Sequence, residues 1–240
     1  MLCRLADLKT HLGWTHDTDD EALTRLIASV SAAMARECGR VLDGRPCLER
    51  AAGRVQYVSP EPRQQTLHLA AWPVVTVAEV IEAVYDDFAD STALTAGDDY
   101  WVNEGQGLLQ RVGRWWSGRE TVRVTYEGGY SPAAAWAAGV SYTAGDRVTY
   151  DGAVYRCTDA VSGTTAPDAD TDHWGARPTE HALPEDLRGH CMMQVIYEFN
   201  RRRDPGLVST GASGASAGYG EPVGLLDSVR DVCRGYRRLY

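Results

Sequence analysis

Residues 134–178 read AAWAAGVSYTAGDRVTYDGAVYRCTDAVSGTTAPDADTDHWGARP, a stretch dense in Trp, Tyr and Gly. It lies where a predicted strand should pass directly into a helix that opens at Pro184. Its short strand-like runs are separated by Gly and Asp, which is typical of a small all-β unit. We therefore predict a module over residues 132–179, inserted into a discontinuous domain made of residues 1–131 and 180–240.

Length and composition are consistent with two folded parts. The chain has 240 residues, 44% of them apolar and 24% charged, and domains run to roughly 100–200 residues each. The sequence shows neither an apolar run of about 18 residues nor a signal peptide, so we expect no membrane partner and synthesis in a cytoplasm. The formal charge of −9 argues against sequence-independent capture of nucleic acid, which depends on Lys and Arg.

The six cysteines lie far apart in the sequence, with no CxxC motif and no spacing typical of a metal site. Three of them fall on the apolar stripes of predicted helices, where a thiol behaves as a small hydrophobic group. We expect ordinary buried thiols at Cys3, Cys38, Cys47, Cys157, Cys191 and Cys233.

Two helices are predicted near the start of the chain. Leu5 to Leu12 carries leucines on one face, and Thr18-Asp19-Asp20-Glu21 matches a capping box at the start of a longer helix. That helix has a 3.6-residue apolar period, and Gly39 follows where a left-handed cap is needed. Its apolar stripe consists of Leu23, Leu26, Ile27, Val30, Met34 and Cys38.

The apolar period shortens to two between Cys47 and Tyr130, which predicts a small antiparallel β-region. The candidate strands are Arg54 to Val58, Thr66 to Ala70, Val74 to Val84, Asp99 to Asn103, Gly107 to Gln110 and Thr121 to Tyr126. With the flanking helices, this pattern predicts an α+β fold with a helical core.

After the module, Pro184 is predicted at the first position of a second long helix. Its buried stripe should be Leu187, Cys191, Val195, Ile196 and Phe199. Ser209 to Gly220 is rich in Gly, Ser and Ala and is predicted to be a flexible linker. The apolar residues of the last segment have helical spacing, so it should fold back on its own core or bury its stripe against a neighbouring subunit.

The ordered set of elements outside the module resembles the head-to-tail connector proteins of tailed bacteriophages. The segments that carry the resemblance are LADLKTHLGWTHDTDDEALTRLIASVSAAMARECGR (5–40), LHLAAWPVVTVAEV (67–80), GDDYWVNEGQGLLQRV (97–112), TVRVTYEGGY (121–130) and LPEDLRGHCMMQVIYEFNRRRD (183–204). The resemblance implies a virion protein that forms a ring of about twelve copies. It also implies contacts with the portal and with a downstream neck or tail-completion protein, and a channel through which double-stranded DNA passes without specific binding.

The same resemblance implies that the last segment docks on the portal. The candidate docking residues are Leu225, Leu226, Val229, Val232, Tyr236, Arg237 and Arg238. An acidic lumen would repel phosphates at close range. The runs Asp17 to Glu21 and Asp86-Asp87 are candidates for it, with a solvated helix start or turn as the alternative.

The inserted stretch resembles the small chitin- and cellulose-binding modules. The resemblance rests on Trp136, Tyr142, the motif Gly-Asp-x-Val-x-Tyr-x-Gly-x-x-Tyr from Gly145 to Tyr155, and Trp174. Exposed aromatic rings offer flat surfaces to pyranose rings, but so small a fold also needs aromatics for its core. We assign Tyr150 and Tyr155 to packing and keep Trp136, Tyr142 and Trp174 as candidates for a glycan-binding face. The alternative is a module that contacts a neighbouring neck protein or nothing.

The sequence offers no catalytic constellation, so we expect no enzyme, no cofactor and no metal site. His11 and His16 flank a turn, and His173 and His181 show no acidic or Cys partner at a fixed spacing. Two functions therefore remain. One is a structural neck adaptor that carries an accessory module, and the other is a carbohydrate-binding protein, for a cell-wall or chitin-like surface glycan, whose helical part is only a scaffold.

Overall fold

The computed structural model describes residues 1–83, 88, 91–202, 207–210, 217–219 and 224–238. It separates into a helical unit, residues 1–40 with 184–240, and a β unit, residues 41–183. The chain is thus of mixed α+β class, as predicted. The inserted module lies within the β unit. The division into a host domain of residues 1–131 and 180–240 and a module of residues 132–179 stays a prediction.

The described residues form helices and short strands in the following order. The helices are α1 (Leu5–Leu12), α2 (Asp20–Glu37), α3 (Glu185–Arg201) and α4 (Asp227–Gly235). The strands of the β unit before the module are β1 (Val41–Leu42), β2 (Arg45–Pro46), β3 (Ala51–Val58), β4 (Thr66–His68), β5 (Val74–Glu82), β6 (Tyr100–Asn103), β7 (Leu108–Arg111) and β8 (Val122–Gly128). The remaining strands are β9 (Ala134–Ala135), β10 (Ser141–Tyr142), β11 (Arg147–Tyr150), β12 (Ala153–Cys157), β13 (Val161–Ser162), β14 (Trp174–Ala176), β15 (Leu207–Thr210) and β16 (Ala217–Tyr219).

Helix α2 confirms the predicted amphipathic helix but not its predicted cap. The N-cap residue is Asp19, and its side chain makes no capping hydrogen bond. The Asp19 carboxylate instead pairs with the guanidinium of Arg202 at 3.0 Å, while Glu21 pairs with Arg25 on the helix surface. At the other end Gly39 has a φ of 67°, the left-handed conformation that was predicted there.

Helix α3 confirms the second long helix, with two differences. Pro184 is the N-cap residue rather than the first helical residue, with a ψ of 136° that keeps it outside the helix. The buried stripe includes Gln194, which the apolar pattern did not predict, whereas Ile196 is only half-buried. A fully buried amide requires hydrogen-bond partners, and Gly224 and Leu226, just before α4, and Glu198 on α3 supply them.

The prediction of a flexible linker over residues 209–220 is wrong for residues 209–210 and 217–219, which lie in strands β15 and β16. Strand β15 pairs with β16 in antiparallel register, with Thr210 opposite Ala217 and Ser209 opposite Gly218. Backbone pairing of this kind is independent of side-chain size, which is why a segment of small residues can form it. Residues 211–216 and 220, also part of the predicted linker, lie outside the described residues.

Two three-stranded antiparallel sheets, in the orders β3-β8-β5 and β4-β7-β6, build the β unit ahead of the module. Strand β8 is central and alternates as predicted, since Val122, Val124 and Tyr126 are buried and the residues between them are half-buried. Burial raises the pKa of Tyr126 to about 12, and its hydroxyl accepts a 3.0 Å hydrogen bond from the Ala71 amide. The predicted strands are therefore present, with described ends displaced by at most three residues, and the predicted end at Val84 lies outside the described residues. The short β1-β2 hairpin was not predicted.

The chain leaves the host sheets and returns to them at one place. The Ser131 amide donates to the His181 carbonyl at 2.8 Å, and the Leu183 amide donates to the Ser131 carbonyl at 2.9 Å. Ser131 and Ala182 form a parallel bridge. Both ends of the module are thus fixed by direct backbone hydrogen bonds to each other.

All six cysteines are buried and none forms a disulfide. The expectation of buried thiols is therefore confirmed. They are not all isolated from one another, however, and two pairs of them meet inside the helical unit.

Candidate assembly surface and ligand-binding module

The C-terminal helix α4 packs inside its own helical unit, against α2 and α3. Val229 and Cys233 lie on the face turned towards those helices and are fully buried. Of the two alternatives left by the sequence, the structure shows the helix folded back on its own core. Burial of this face removes apolar area from water, the main source of helix docking energy.

A buried amide fixes the start of α4. The Gln194 side chain accepts a hydrogen bond from the Leu226 amide at 2.9 Å and donates to the Gly224 carbonyl at 3.3 Å. At the far end of the helix, the Tyr236 hydroxyl donates to the Asp186 carboxylate at 2.7 Å. Polar bonds at both ends therefore hold α4 in place. The sequence signal for Gln194 was weak, because a glutamine on an apolar stripe carries no spacing motif.

The predicted docking residues differ in how accessible they are. Val229 was predicted to meet a partner, but its burial in the chain's own core excludes that contact in this conformation. Arg237 is exposed, and the others are half-buried, namely Leu225, Leu226, Val232, Tyr236 and Arg238. Portal docking by these six residues stays a prediction.

The acidic run proposed for a channel wall is neutralised within the chain. Lys9 pairs with Asp17 at 2.6 Å and with Asp20 at 3.0 Å. The hydrogen bond to Lys9 lowers the pKa of Asp17, and the same contact raises the pKa of Lys9. Because Asp19 and Glu21 also have arginine partners, the run leaves little uncompensated negative charge. Asp86 and Asp87 lie outside the described residues.

The inserted module has a four-stranded sheet in the order β14-β12-β11-β9 and a separate β10-β13 pair. Its small core consists of Val148, Cys157 and Trp174. Trp174 was predicted as a ligand-binding ring, but it is only 3% exposed and cannot offer a stacking surface. A fold of this size has few other large side chains to bury, which is the physical reason for the correction.

The other two candidate rings lie beside this core and are half-buried. The Trp136 ring meets Tyr150 edge-on, with centroids 5.5 Å apart, and Tyr142 meets Trp174 edge-on at 5.1 Å. The Tyr142 hydroxyl also accepts a 2.9 Å hydrogen bond from the Ala137 amide. Tyr142 is therefore held by a ring contact and a hydrogen bond. The Trp136 ring contacts Tyr150, and part of the Trp136 side chain is accessible to solvent.

His173 has an acidic partner that the sequence spacing did not reveal. Its Nδ1 lies 2.8 Å from the Asp170 carboxylate. This hydrogen bond raises the pKa of His173 and lowers the pKa of Asp170. Asp170 and His173 are three residues apart in the turn before β14, so their hydrogen bond stabilises that turn locally.

An ionic cluster centred on Glu180 joins the module to the host sheets. The Glu180 carboxylate has no exposed surface and lies 3.0 Å from Arg147, 3.0 Å from Arg177 and 3.4 Å from Arg50. Arg50 in turn pairs with Glu127 on β8. Arg147 and Arg177 belong to the module, whereas Arg50 and Glu127 belong to the host, so one buried acid connects both. No spacing pattern indicates this cluster, since its members are spread over most of the β unit.

In the part of the chain that the structure describes, no group of three or more His, Cys, Asp or Glu residues is placed to hold a metal ion. Among the same residues, the helices are too short or too polar for any of them to traverse a bilayer.

Comparison with known proteins supports both resemblances. Residues 3–88 match the family model described as "Phage gp6-like head-tail connector protein", and residues 135–174 match "Carbohydrate-binding module family 5/12". A solved structure, "Neck of empty GTA particle computed with C6 symmetry", matches 100% of this chain and 91% of its own with a TM-score of 0.52 and 13% identity. No curated protein gave a significant match.

The similarity to a head-to-tail connector is thus shown by a family match at the amino-terminal end and by a shared fold along the whole chain. The match to the carbohydrate-binding module is small and confined to the insertion. Together these findings support a structural role in joining head to tail.

Proposed function

We propose that this chain assembles into a ring, with about twelve copies as the expected number, between the portal and the tail of a bacteriophage. The observation that carries the proposal is the connector match over residues 3–88, which is supported by the neck-like fold of the whole chain. In the ring, copies would meet through unlike faces, and double-stranded DNA would pass through the centre. A net charge of −9 favours passage without tight binding, because phosphates are repelled at short range.

The C-terminal segment is the proposed contact with the portal. Since Val229 and Cys233 are occupied within the chain, the contact would use the outer side of α4 and the residues after it. Arg237 is exposed and lies beside Gly39, which follows the C-cap residue of α2. An arginine at this place can pair with acidic groups of a partner.

Mass photometry and electron microscopy of the purified protein with its cognate portal test the proposal. We expect a ring-sized complex, and Arg237→Glu should weaken it at least tenfold. Arg234→Glu is the matched control, because Arg234 is exposed near the end of α4, three residues before Arg237, but lies outside the predicted docking set. The absence of any ring and of any portal complex with the wild-type protein would refute the assembly role.

The module carries a second candidate function, binding of a surface glycan. It is favoured by the family match over residues 135–174 and by the accessible part of the Trp136 ring. Pull-down on chitin, cellulose and peptidoglycan should retain the wild-type protein, and Trp136→Ala should reduce retention. Trp116→Ala is the matched control, since Trp116 is 52% exposed and lies outside the module. Equal retention of both variants would eliminate sugar binding through this ring.

A further inference from the structure

Two pairs of thiols meet in the helical unit, each joining segments from opposite ends of the chain. The Cys3 and Cys191 sulfurs are 3.7 Å apart, although 188 residues separate them in sequence. Cys38 follows α2 and Cys233 lies on α4, these two helices pack against each other, and each thiol shifts the pKa of the other. All four side chains are at most 2% exposed. A disulfide at either place requires the sulfurs to approach to about 2.05 Å.

Within each pair the two thiols are chemically unequal. The hydrogen bond with Cys3 lowers the pKa of Cys191, and the Ser31 hydroxyl and the amino terminus lower it further. The same hydrogen bond, followed by burial, raises the pKa of Cys3. In the second pair, the neighbouring Cys233 thiol lowers the pKa of Cys38.

We propose that Cys3–Cys191 and Cys38–Cys233 are sites of reversible disulfide formation, with a peroxide as the oxidant. The Cys191 thiolate attacks one peroxide oxygen, the O–O bond breaks, and a sulfenic acid and hydroxide form. The Cys3 sulfur then displaces the hydroxyl group from the Cys191 sulfur, so that the S–S bond forms and the S–O bond breaks. The two thiol protons end in water. Two electrons pass from the thiols to one peroxide, which becomes two water molecules. Cys38 and Cys233 react in the same manner.

The cross-links would fasten the ends of the chain to the helical core. The first ties the amino-terminal segment to α3, and the second ties α4 to the end of α2. Because all four thiols are buried, oxidation depends on local opening and is slow, which suits a lasting lock rather than a catalytic couple. On the proposed function, a particle assembled in a reducing cytoplasm would acquire these locks after release into an oxidising medium.

The direct test is peptide mapping of the purified, folded, full-length chain. The protein is treated with hydrogen peroxide, remaining thiols are alkylated, and the unreduced digest is analysed by mass spectrometry. We expect linked peptides for Cys3–Cys191 and Cys38–Cys233, while Cys47 and Cys157 are recovered alkylated. Recovery of all six cysteines as thiols, or linkages that scramble to Cys47 or Cys157, would overturn the proposal. Portal and glycan are absent from this experiment, so its outcome is independent of the proposed function.

Substitution then separates pairing from general oxidation. In Cys191→Ser the Cys3 linkage should vanish and Cys38–Cys233 should persist, which also shows that the variant is folded. Cys47→Ser is the matched control and should retain both linkages. Oxidation should raise the urea midpoint of the wild-type protein, dithiothreitol should reverse the rise, and Cys191→Ser should show a smaller rise. An oxidised wild-type protein with an unchanged midpoint would contradict the locking role.

Discussion

Glu180→Gln should weaken the ionic contacts between the inserted module and the host sheets and so lower the free energy of unfolding. The change leaves three guanidinium groups, of Arg50, Arg147 and Arg177, without the buried carboxylate on which they converge. Removal of one partner from a buried ion pair costs about 3–5 kcal/mol. Here the arginine side chains are 15%, 29% and 41% exposed, so water can compensate part of the loss. We therefore expect a loss of about 2–3 kcal/mol in the free energy of unfolding, with the lower end favoured by solvent screening.

Urea denaturation followed by tryptophan fluorescence measures this loss, because Trp174 lies in the module core. A loss of this size corresponds to a decrease of about 5–10 °C in melting temperature. Glu79→Gln is the matched control. Its carboxylate pairs with Arg123 at 3.1 Å but is 41% exposed, so the change should cost less than about 1 kcal/mol. Equal losses in the two variants would show that burial and convergence of charges at Glu180 do not matter, and the reasoning would fail.

Three smaller perturbations follow from local geometry. In Gly129→Ala a Cβ would lie 2.5 Å from the Glu49 backbone, at a φ of 107°. The melting temperature should therefore fall at least as far as in Gly139→Ala, where the added Cβ would meet open space. Gln194→Ala removes the hydrogen bonds to the Leu226 amide and the Gly224 carbonyl at the start of α4, each worth about 0.5–1.5 kcal/mol, and hydrogen exchange over 224–238 should accelerate while α1 is unchanged. Because the hydrogen bond to Asp170 raises the pKa of His173, this contact stabilises the module fully below the ordinary histidine pKa of about 6.5, and its contribution declines as pH rises through the raised pKa. NMR titration should show the elevated pKa in the wild-type protein and its return to the ordinary range in Asp170→Asn; a titration identical in both proteins would contradict a role for this hydrogen bond.

Much of the architecture could be predicted from periodicity alone. The alternation of Val122, Val124 and Tyr126 located the central strand, and the 3.6-residue spacing of α2 located the longest helix. These patterns are reliable because burial selects one face of an element, and the spacing of that face depends only on the backbone. Short elements such as β1 and β2 carry too few residues to show a period, so they were missed.

The candidate site was less accessible to sequence reasoning, because its contacts join distant residues. Nothing in the spacing of Cys3 and Cys191 indicates that they meet, and Glu180 carries no sign that it collects three arginines. For Trp174 the residue type fitted both a ligand face and a core, and only the packing distinguished them. The capping box at Thr18 to Glu21 did not form: the Asp19 carboxylate pairs with the distant Arg202, and Glu21 pairs with Arg25 one turn along the same helix.

Backbone hydrogen bonds hold Ser131 beside His181 and Leu183, so the two ends of the inserted module lie next to each other. This place in the host is therefore suited to the insertion of another domain. A polypeptide whose own ends lie close together can enter and leave there without stretching the strand that precedes it or the helix that follows. Removal of residues 133–178 and closure by a short turn should therefore leave a folded host. If the same stretch were exchanged for an unrelated small domain, each copy of the chain in the proposed ring would carry one copy of that domain. The ring would then display as many copies of the domain as it has subunits.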